Sequence, residues 1–303
     1  MVDEMGDDRA STPLDLEQVV LPLDGSAFAL AALPTARALC ERFTARLLTL
    51  SVVADAREAE ELRQHVTEAL GDDAGAAGIE VVVAADPAGV IAGRVAELGS
   101  AIVCMSTRGR GRVSGSVIGS VARAVFRLSS RPLVVVGPQA DRPESMVDRP
   151  RRRPPSWPEP LSVGSLVVCV DGSARSEALL PTAAAWAAAL DMDLSVLTVA
   201  QDAASSPGGG RPNAYGPPNP KEYVQGVAEK WREAVPGSVG EVVYDPIGVA
   251  SGIQSFVASH HVGMVALTTH ARTGLGRLRL GATAADIVRT STVPALVVPL
   301  ADP

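Results

Sequence analysis

Short apolar runs recur along this chain, separated by Ala- and Leu-rich stretches long enough to form helices. In the first half the strand-like runs are Val19–Leu23, Leu47–Val53, Ile79–Ala85, Ala101–Met105 and Leu133–Gly137. In the second half they are Ser165–Val170, Leu194–Ala200, Val239–Asp245, Gly263–Leu267 and Ala295–Pro299. Strands alternating with helices in this way predict βαβ units and a parallel sheet. Several runs are continuously apolar, as expected where helices cover both faces of a sheet. The expected fold class is α/β, with two tandem, doubly wound, parallel five-stranded sheets of Rossmann-like type.

The second half repeats the first. Leu23-Asp24-Gly25-Ser26 returns as Val170-Asp171-Gly172-Ser173, and Leu33-Pro34-Thr35-Ala36 as Leu180-Pro181-Thr182-Ala183. Asp86-Pro87-Ala88-Gly89-Val90 returns as Asp245-Pro246-Ile247-Gly248-Val249. The offset grows from 147 at Asp24 to 159 at Asp86 and 162 at Pro132, which places the extra residues of copy two mainly in Ser205 to Pro220. A period this long means two complete domains, each with its own core, rather than a solenoid. The expected organisation is an acidic tail (1–17), a first domain (18–138), a Pro/Arg-rich linker (139–162) and a second domain (163–303). The linker run Arg149-Pro150-Arg151-Arg152-Arg153 reads as a solvated tether, with an anionic partner as the alternative. Ser205 to Pro220 reads as a disordered loop, with a lid as the alternative.

Composition narrows the function. The chain has 303 residues and is 47% hydrophobic but only 3% aromatic, so its cores are built from Ala, Val and Leu, with little surface for stacking bases or sugars. A formal charge of −7 argues against a nucleic-acid partner. No apolar run is long enough for a membrane span, and the start has no signal-like segment, so the expectation is a cytoplasmic protein without a membrane partner. Cys40, Cys104 and Cys169 fit buried thiols in a reducing compartment better than disulfides or zinc.

The strongest chemical signal follows the fourth strand of copy one: Ser106-Thr107-Arg108-Gly109, nine residues, then Gly119-Ser120 and an apolar helix-like segment. A helix start after a Gly-rich loop offers unpaired N–H groups and a partial positive charge, which suit a phosphate. Gly119 would allow close backbone approach, Ser120 would add a hydroxyl, and Arg108, Arg110 and Arg112 would add charge. The alternative is a plain loop with Ser120 as helix N-cap. Asp24 and Asp171 also admit two readings, a ribose-binding carboxylate at a strand's carboxyl edge or a helix N-cap, and repetition does not choose between them. Ser114 stands where a dinucleotide fingerprint needs its third glycine, and there is no G-x-x-x-x-G-K-[S/T] sequence. His260 and His261 end a predicted helix and read as caps, while His65 has no second ligand nearby. No Ser–His–acid set is present, so neither a catalytic residue nor a metal centre is expected.

Taken together, these motifs resemble the universal stress protein family: five βα units, Asp-Gly-Ser after strand one, Asp-Pro-Ala before helix three, and G-2x-G-9x-G-[S/T] after strand four. The resemblance covers both copies and implies an adenine nucleotide alpha hydrolase-like fold and, in the subclass carrying the glycine motif, bound ATP, with or without magnesium. In copy one it implies that Pro22, Leu23 and Asp24 line the adenosine side and that Val52 gives backbone contacts to adenine. Met105, Ser106, Arg108, Gly109, Gly119, Ser120 and Val121 would surround the phosphates. Ser106 replaces the motif's first glycine, at a cost of about 1–2 kcal/mol if that position needs a left-handed backbone. Copy two departs further, reading Thr268-Thr269-His270-Ala271, nine residues, then Gly281-Ala282-Thr283. Asp171 and Val199 remain on its nucleoside side, and Thr268, His270, Ala271, Gly281, Ala282 and Thr283 stand at its phosphate positions. The resemblance thus implies a non-catalytic, ATP-dependent stress-response regulator that binds mainly in domain one. The alternative is a nucleotide-independent interaction module, a pseudo-dimer in which Leu133–Gly137 pairs with Ala295–Pro299. A homodimer of whole chains is left open.

Overall fold

The computed structural model describes residues 15–108, 118–140, 164–200, 217, 219–271 and 278–299. Copy one runs β1 (Gln18–Pro22), α1 (Ala27–Leu30), α2 (Leu33–Phe43), β2 (Arg46–Val53), α3 (Ala56–Leu70), β3 (Gly78–Val83), α4 (Pro87–Leu98), β4 (Ala101–Ser106), α5 (Ser120–Leu128) and β5 (Leu133–Val136). Copy two follows the same plan: β6 (Ser165–Cys169), α6 (Ala174–Glu177), α7 (Leu180–Leu190), β7 (Asp193–Ala200), α8 (Pro220–Trp231), β8 (Val239–Tyr244) and α9 (Val249–Ser259). It ends with β9 (Val262–Ala271), β10 (Leu278–Arg279), α10 (Ala282–Thr290) and β11 (Ala295–Pro299). The acidic tail and nearly all of the linker lie outside the described residues, as does most of Ser205 to Pro220.

All the predicted strands form, within a residue or two of their expected ends except at β9. The two expected sheets are in fact one, with strand order β3-β2-β1-β4-β5-β11-β9-β6-β7-β8. Along this order each half is parallel, with β10 pairing antiparallel to β9 off it, and the halves meet where β5 and β11 pair antiparallel, Val135 opposite Ala295 and Leu133 opposite Val297. Both partners are apolar and fully or almost fully buried, so each closes an edge that the other would otherwise leave unpaired. Both halves have a reversal of strand order beside the first strand, between β1 and β4 and between β6 and β9.

The strands alternate their side chains between two cores, one on each face of the sheet. Val19 and Leu21 join Leu39, Val66 and Trp186 on one face, while Val20, Val103 and Met105 join Val125, Phe126 and Ile287 on the other. Both cores run through both copies, so the halves share apolar burial as well as a ladder. On the first face Phe43 meets Trp186 edge-on at 5.6 Å, and Arg42 Nε donates to the Ala189 carbonyl at 2.8 Å. On the second face β10 lies against α5, and Gly137 sits so close to α10 that a Cβ would be 1.9 Å from the Val288 carbonyl oxygen. Burial pushes the Cys104 and Cys169 thiols well above their usual range, and none of the three cysteines is in a disulfide.

Candidate nucleotide site

An open parallel sheet places ligands outside the carboxyl ends of its strands, at the point where strand order reverses. In copy one that point lies between Pro22-Leu23-Asp24, after β1, and Ser106-Thr107-Arg108, after β4. Leu23 is buried, and its N–H donates to the Leu50 carbonyl, which fixes the end of β1 against β2. The Asp24 carboxylate accepts hydrogen bonds from the Ser26 N–H at 3.0 Å and the Ser26 hydroxyl at 2.6 Å. Ser26 in turn accepts from the Ala29 N–H and is the N-cap of α1. Copy two repeats this geometry, with Ser173 donating to Asp171 and capping α6 through the Ser176 N–H. The N-cap reading of Asp24 and Asp171 is therefore corrected. Each aspartate orients the capping serine, and each stands one turn ahead of the helix at the strand's edge. Burial draws the Asp171 carboxyl upward, but hydrogen bonds from Ser173, Ser176 and the backbone hold it below the ordinary carboxylate range.

The phosphate end of copy one is built by α5. Gly119, not Ser120, occupies the N-cap position, and no side chain caps the helix. The N-cap reading of Ser120 is thus also corrected: it is the first helical residue, exposed beside Val121. The first-turn N–H groups of such a helix have no partners within the helix. The Gly119 N–H donates to the Thr107 carbonyl at 2.8 Å, and a Cβ on Gly119 would lie 3.3 Å from that same oxygen. Close approach to the chain below, rather than a left-handed backbone, is what glycine allows here. Ser106 is not left-handed either, since Thr44 and Asp191 are the described non-glycine residues with positive φ, so the strain considered for Ser106 does not arise. Its hydroxyl accepts from the Arg108 N–H at 3.2 Å, and Arg108 is exposed at the mouth of the loop. Met105 is buried against the core, and Pro22 and Val52 are half-buried at the ends of their strands. Gly109 lies outside the described residues, as do Arg110, Arg112 and, in copy two, Arg272.

Copy two uses the corresponding positions differently. Its fourth strand does not stop where β4 stops: β9 continues through Thr268, Thr269 and His270 to Ala271, and pairs with β10 through Ala271 opposite Leu278 and His270 opposite Arg279. His270 and Ala271 thus belong to a β-ladder rather than a loop around an anion. Gly281 is the N-cap of α10, with Ala282 and Thr283 exposed in its first turn and no side-chain cap. On the nucleoside side, Pro217 is buried and packs 3.5 Å from where a Cβ on Gly172 would stand. The Tyr223 hydroxyl donates to Glu177 at 2.8 Å, and burial and that bond together push it well above its usual range. The Thr198 hydroxyl donates to the Val170 carbonyl at 2.7 Å. A Cβ on Gly252 would be 2.6 Å from Val199, whereas Gly93 at the same place in copy one has nothing within 4 Å.

The remaining candidates do not form a centre. His260 terminates α9, stacking on Phe256 at 3.9 Å with its Nδ1 3.1 Å from the Phe256 carbonyl. Among the described residues no group of three or more His, Cys, Asp or Glu could hold a metal ion, and no helix is long and apolar enough to cross a membrane. Two buried hydroxyls that the sequence did not single out, Ser51 and Thr107, have no hydrogen-bond partner.

No curated protein matches this chain significantly. Solved structures do. A universal stress protein from Archaeoglobus fulgidus is 16% identical, with a TM-score of 0.59, covering 93% of this chain and 98% of that one. A structure from Pseudomonas aeruginosa, also described as a universal stress protein, is 15% identical with a TM-score of 0.56, covering 94% of each chain. At such identities the likeness concerns the fold alone. The sequence model of the universal stress protein family matches twice, at residues 16–137 and 163–299. Both copies of the repeat, with their Asp-Gly-Ser turns and their strand-to-helix crossings, are accounted for, and the chain belongs to the universal stress protein family.

Proposed function

We propose that this protein is an ATP-binding stress-response regulator that holds its nucleotide mainly in domain one and signals through occupancy rather than turnover. The observation that carries this reading is the end of α5 in copy one. A helix N-terminus without a side-chain cap stands at the reversal of strand order, with Gly119 drawn onto Thr107. Asp24, held by Ser26 on the other side of the reversal, would accept from a ribose hydroxyl. Arg108, Gly109, Ser120 and Val121 complete the phosphate side, and Pro22, Leu23 and Val52 the adenosine side. ATP would supply the negative charge and the acceptor oxygens that these groups lack. Magnesium, if present, would be carried by the phosphates, since the described residues offer no dedicated ligand set.

Binding mainly in domain one is supported by what copy two does with the same positions. Its fourth strand runs on through His270 and Ala271 to pair with β10, and Pro217, Tyr223 and Thr198 engage the groups around the Asp171 turn. Holding rather than hydrolysis is the reading we adopt, since the sequence offers no Ser–His–acid set. The protein would act in the cytoplasm, with the two domains as its own paired unit. The interaction-module reading draws on one observation, the β5–β11 ladder, which gives the chain the form of a closed pseudo-dimer whether or not nucleotide is bound. Counting the nucleotide carried by each chain separates the two readings.

A further inference from the structure

Thr107 is the residue on which the phosphate end of copy one is built, and its side chain is not used by the fold. Its N–H donates to the Val136 carbonyl at 3.1 Å and its carbonyl accepts from the Gly119 N–H at 2.8 Å, so both backbone groups are committed. The first of these bonds closes the β4–β5 ladder at Ser106 opposite Val136, and Thr107 follows directly in a bend. Val103 and Met105 face the core that contains Ala122, Val125 and Phe126 of α5. Two residues further on, Thr107 is tied through its carbonyl to Gly119, the N-cap of that helix. It is 1% exposed, and its hydroxyl has no partner.

A buried hydroxyl without a partner costs free energy that a fold has no reason to retain, unless the partner arrives from outside. Valine would fill the same volume without that cost. We propose that the Thr107 hydroxyl is a further phosphate-binding group of copy one, orphaned in the free protein and donating to a phosphoryl oxygen when one settles on the N-terminus of α5. This rests on the ATP-binding reading above and adds to it a residue that the glycine motif leaves unspecified. The chemistry is the same as that of the helix: a donor at a place where water is excluded and an anion brings the acceptor.

Two variants test it, with ATP and adenosine as probes. Thr107→Val should leave the thermal stability of the nucleotide-free protein unchanged or raised, because it removes an unsatisfied group at constant shape. It should weaken ATP binding roughly tenfold while leaving adenosine binding at the native value, and Thr107→Ser should restore ATP affinity. A native chain that binds ATP, with Thr107→Val binding it equally well, overturns the inference and spares the proposed function. A Thr107→Val protein that loses stability without nucleotide and binds ATP and adenosine equally weakly shows a merely structural hydroxyl and also overturns it. If Thr107→Val does not fold, Thr107→Ser decides, since native ATP affinity there supports the hydroxyl and a loss equal for ATP and adenosine contradicts it. A native chain that binds no ATP removes the proposed function itself.

Discussion

The two halves of this chain share a strand order, an Asp-Gly-Ser turn and even the left-handed helix end at Thr44 and Asp191, yet they treat the carboxyl edge of the sheet in opposite ways. In copy one, polar groups at that edge are left over: the Ser51 and Thr107 hydroxyls have no partner. In copy two the chain closes on itself. Thr198, at the position of Ser51, bonds to the Val170 carbonyl, and the fourth strand runs on to Ala271, where it pairs with β10. On the proposed reading, a duplicated fold keeps its scaffold in both copies and its site in one, because the core constrains every strand whereas a loop is constrained only by its ligand.

The sharpest way to break this comparison is to fill the same glycine in each half. Gly119→Trp should reduce ATP affinity by at least about 100-fold, since it forces the first turn of α5 off Thr107 and blocks the approach of an anion. Gly281→Trp should leave ATP binding within about twofold of native, as that helix end serves no nucleotide in this account. Calorimetric titration of both variants checks the pair, and equal losses would show that the halves bind alike.

The next effect concerns the seam. Gly137→Val places a side chain against the Val288 carbonyl, where a Cβ alone would be 1.9 Å from the oxygen. Overpacking of this kind should destabilise the chain by about 2–4 kcal/mol in urea unfolding. Because both cores run across the seam, the halves should still unfold together. Two separate transitions in the native protein would mean that the halves are independent.

A smaller effect distinguishes two aspartates at equivalent places. Asp86 caps α4 through the Gly89 N–H, and α4 starts at once with Pro87. Asp245 is buried and accepts from the Ile247 and Gly248 N–H groups, so α9 starts later, at Val249. The Gly248 N–H, against the upward pull of burial and with help from Ile247, holds the Asp245 carboxyl below the usual carboxylate range. A carboxylate lowered in the folded state contributes stability above its unfolded value, and that contribution is lost as pH falls through the folded one. Asp245→Asn should therefore be less stable than native at pH 7 by about 1 kcal/mol, with the gap closing below about pH 4. Asp86→Asn should cost only a few tenths of a kcal/mol, because asparagine is also a good N-cap. Urea unfolding of the four combinations of variant and pH reads the difference directly.

Much of this was legible in the sequence, and the exceptions have physical causes. Continuous Val and Leu runs gave the strands, since a strand buried on both faces has little freedom in composition. The repeat gave the two domains, and the family resemblance implied the pairing of their last strands. The end of β9 was misplaced because glycine positions aligned by motif hid a local preference: Thr268-Thr269 continues a strand as well as it lines a loop. Asp24 and Ser26 are both good capping residues, and only the start of α1 at Ala27 decides which one caps. Thr107 could not be found by spacing at all. Its importance lies in a missing partner, which appears only when burial and hydrogen bonds are known together.

The central claim, one working nucleotide site in a two-copy scaffold, is tested most directly by purifying the protein under native conditions, saturating it with ATP, and counting the nucleotide released on denaturation. The account predicts close to one ATP per chain. Two per chain would contradict the closed reading of copy two, and none would contradict nucleotide binding altogether and leave the paired sheet as the protein's working part.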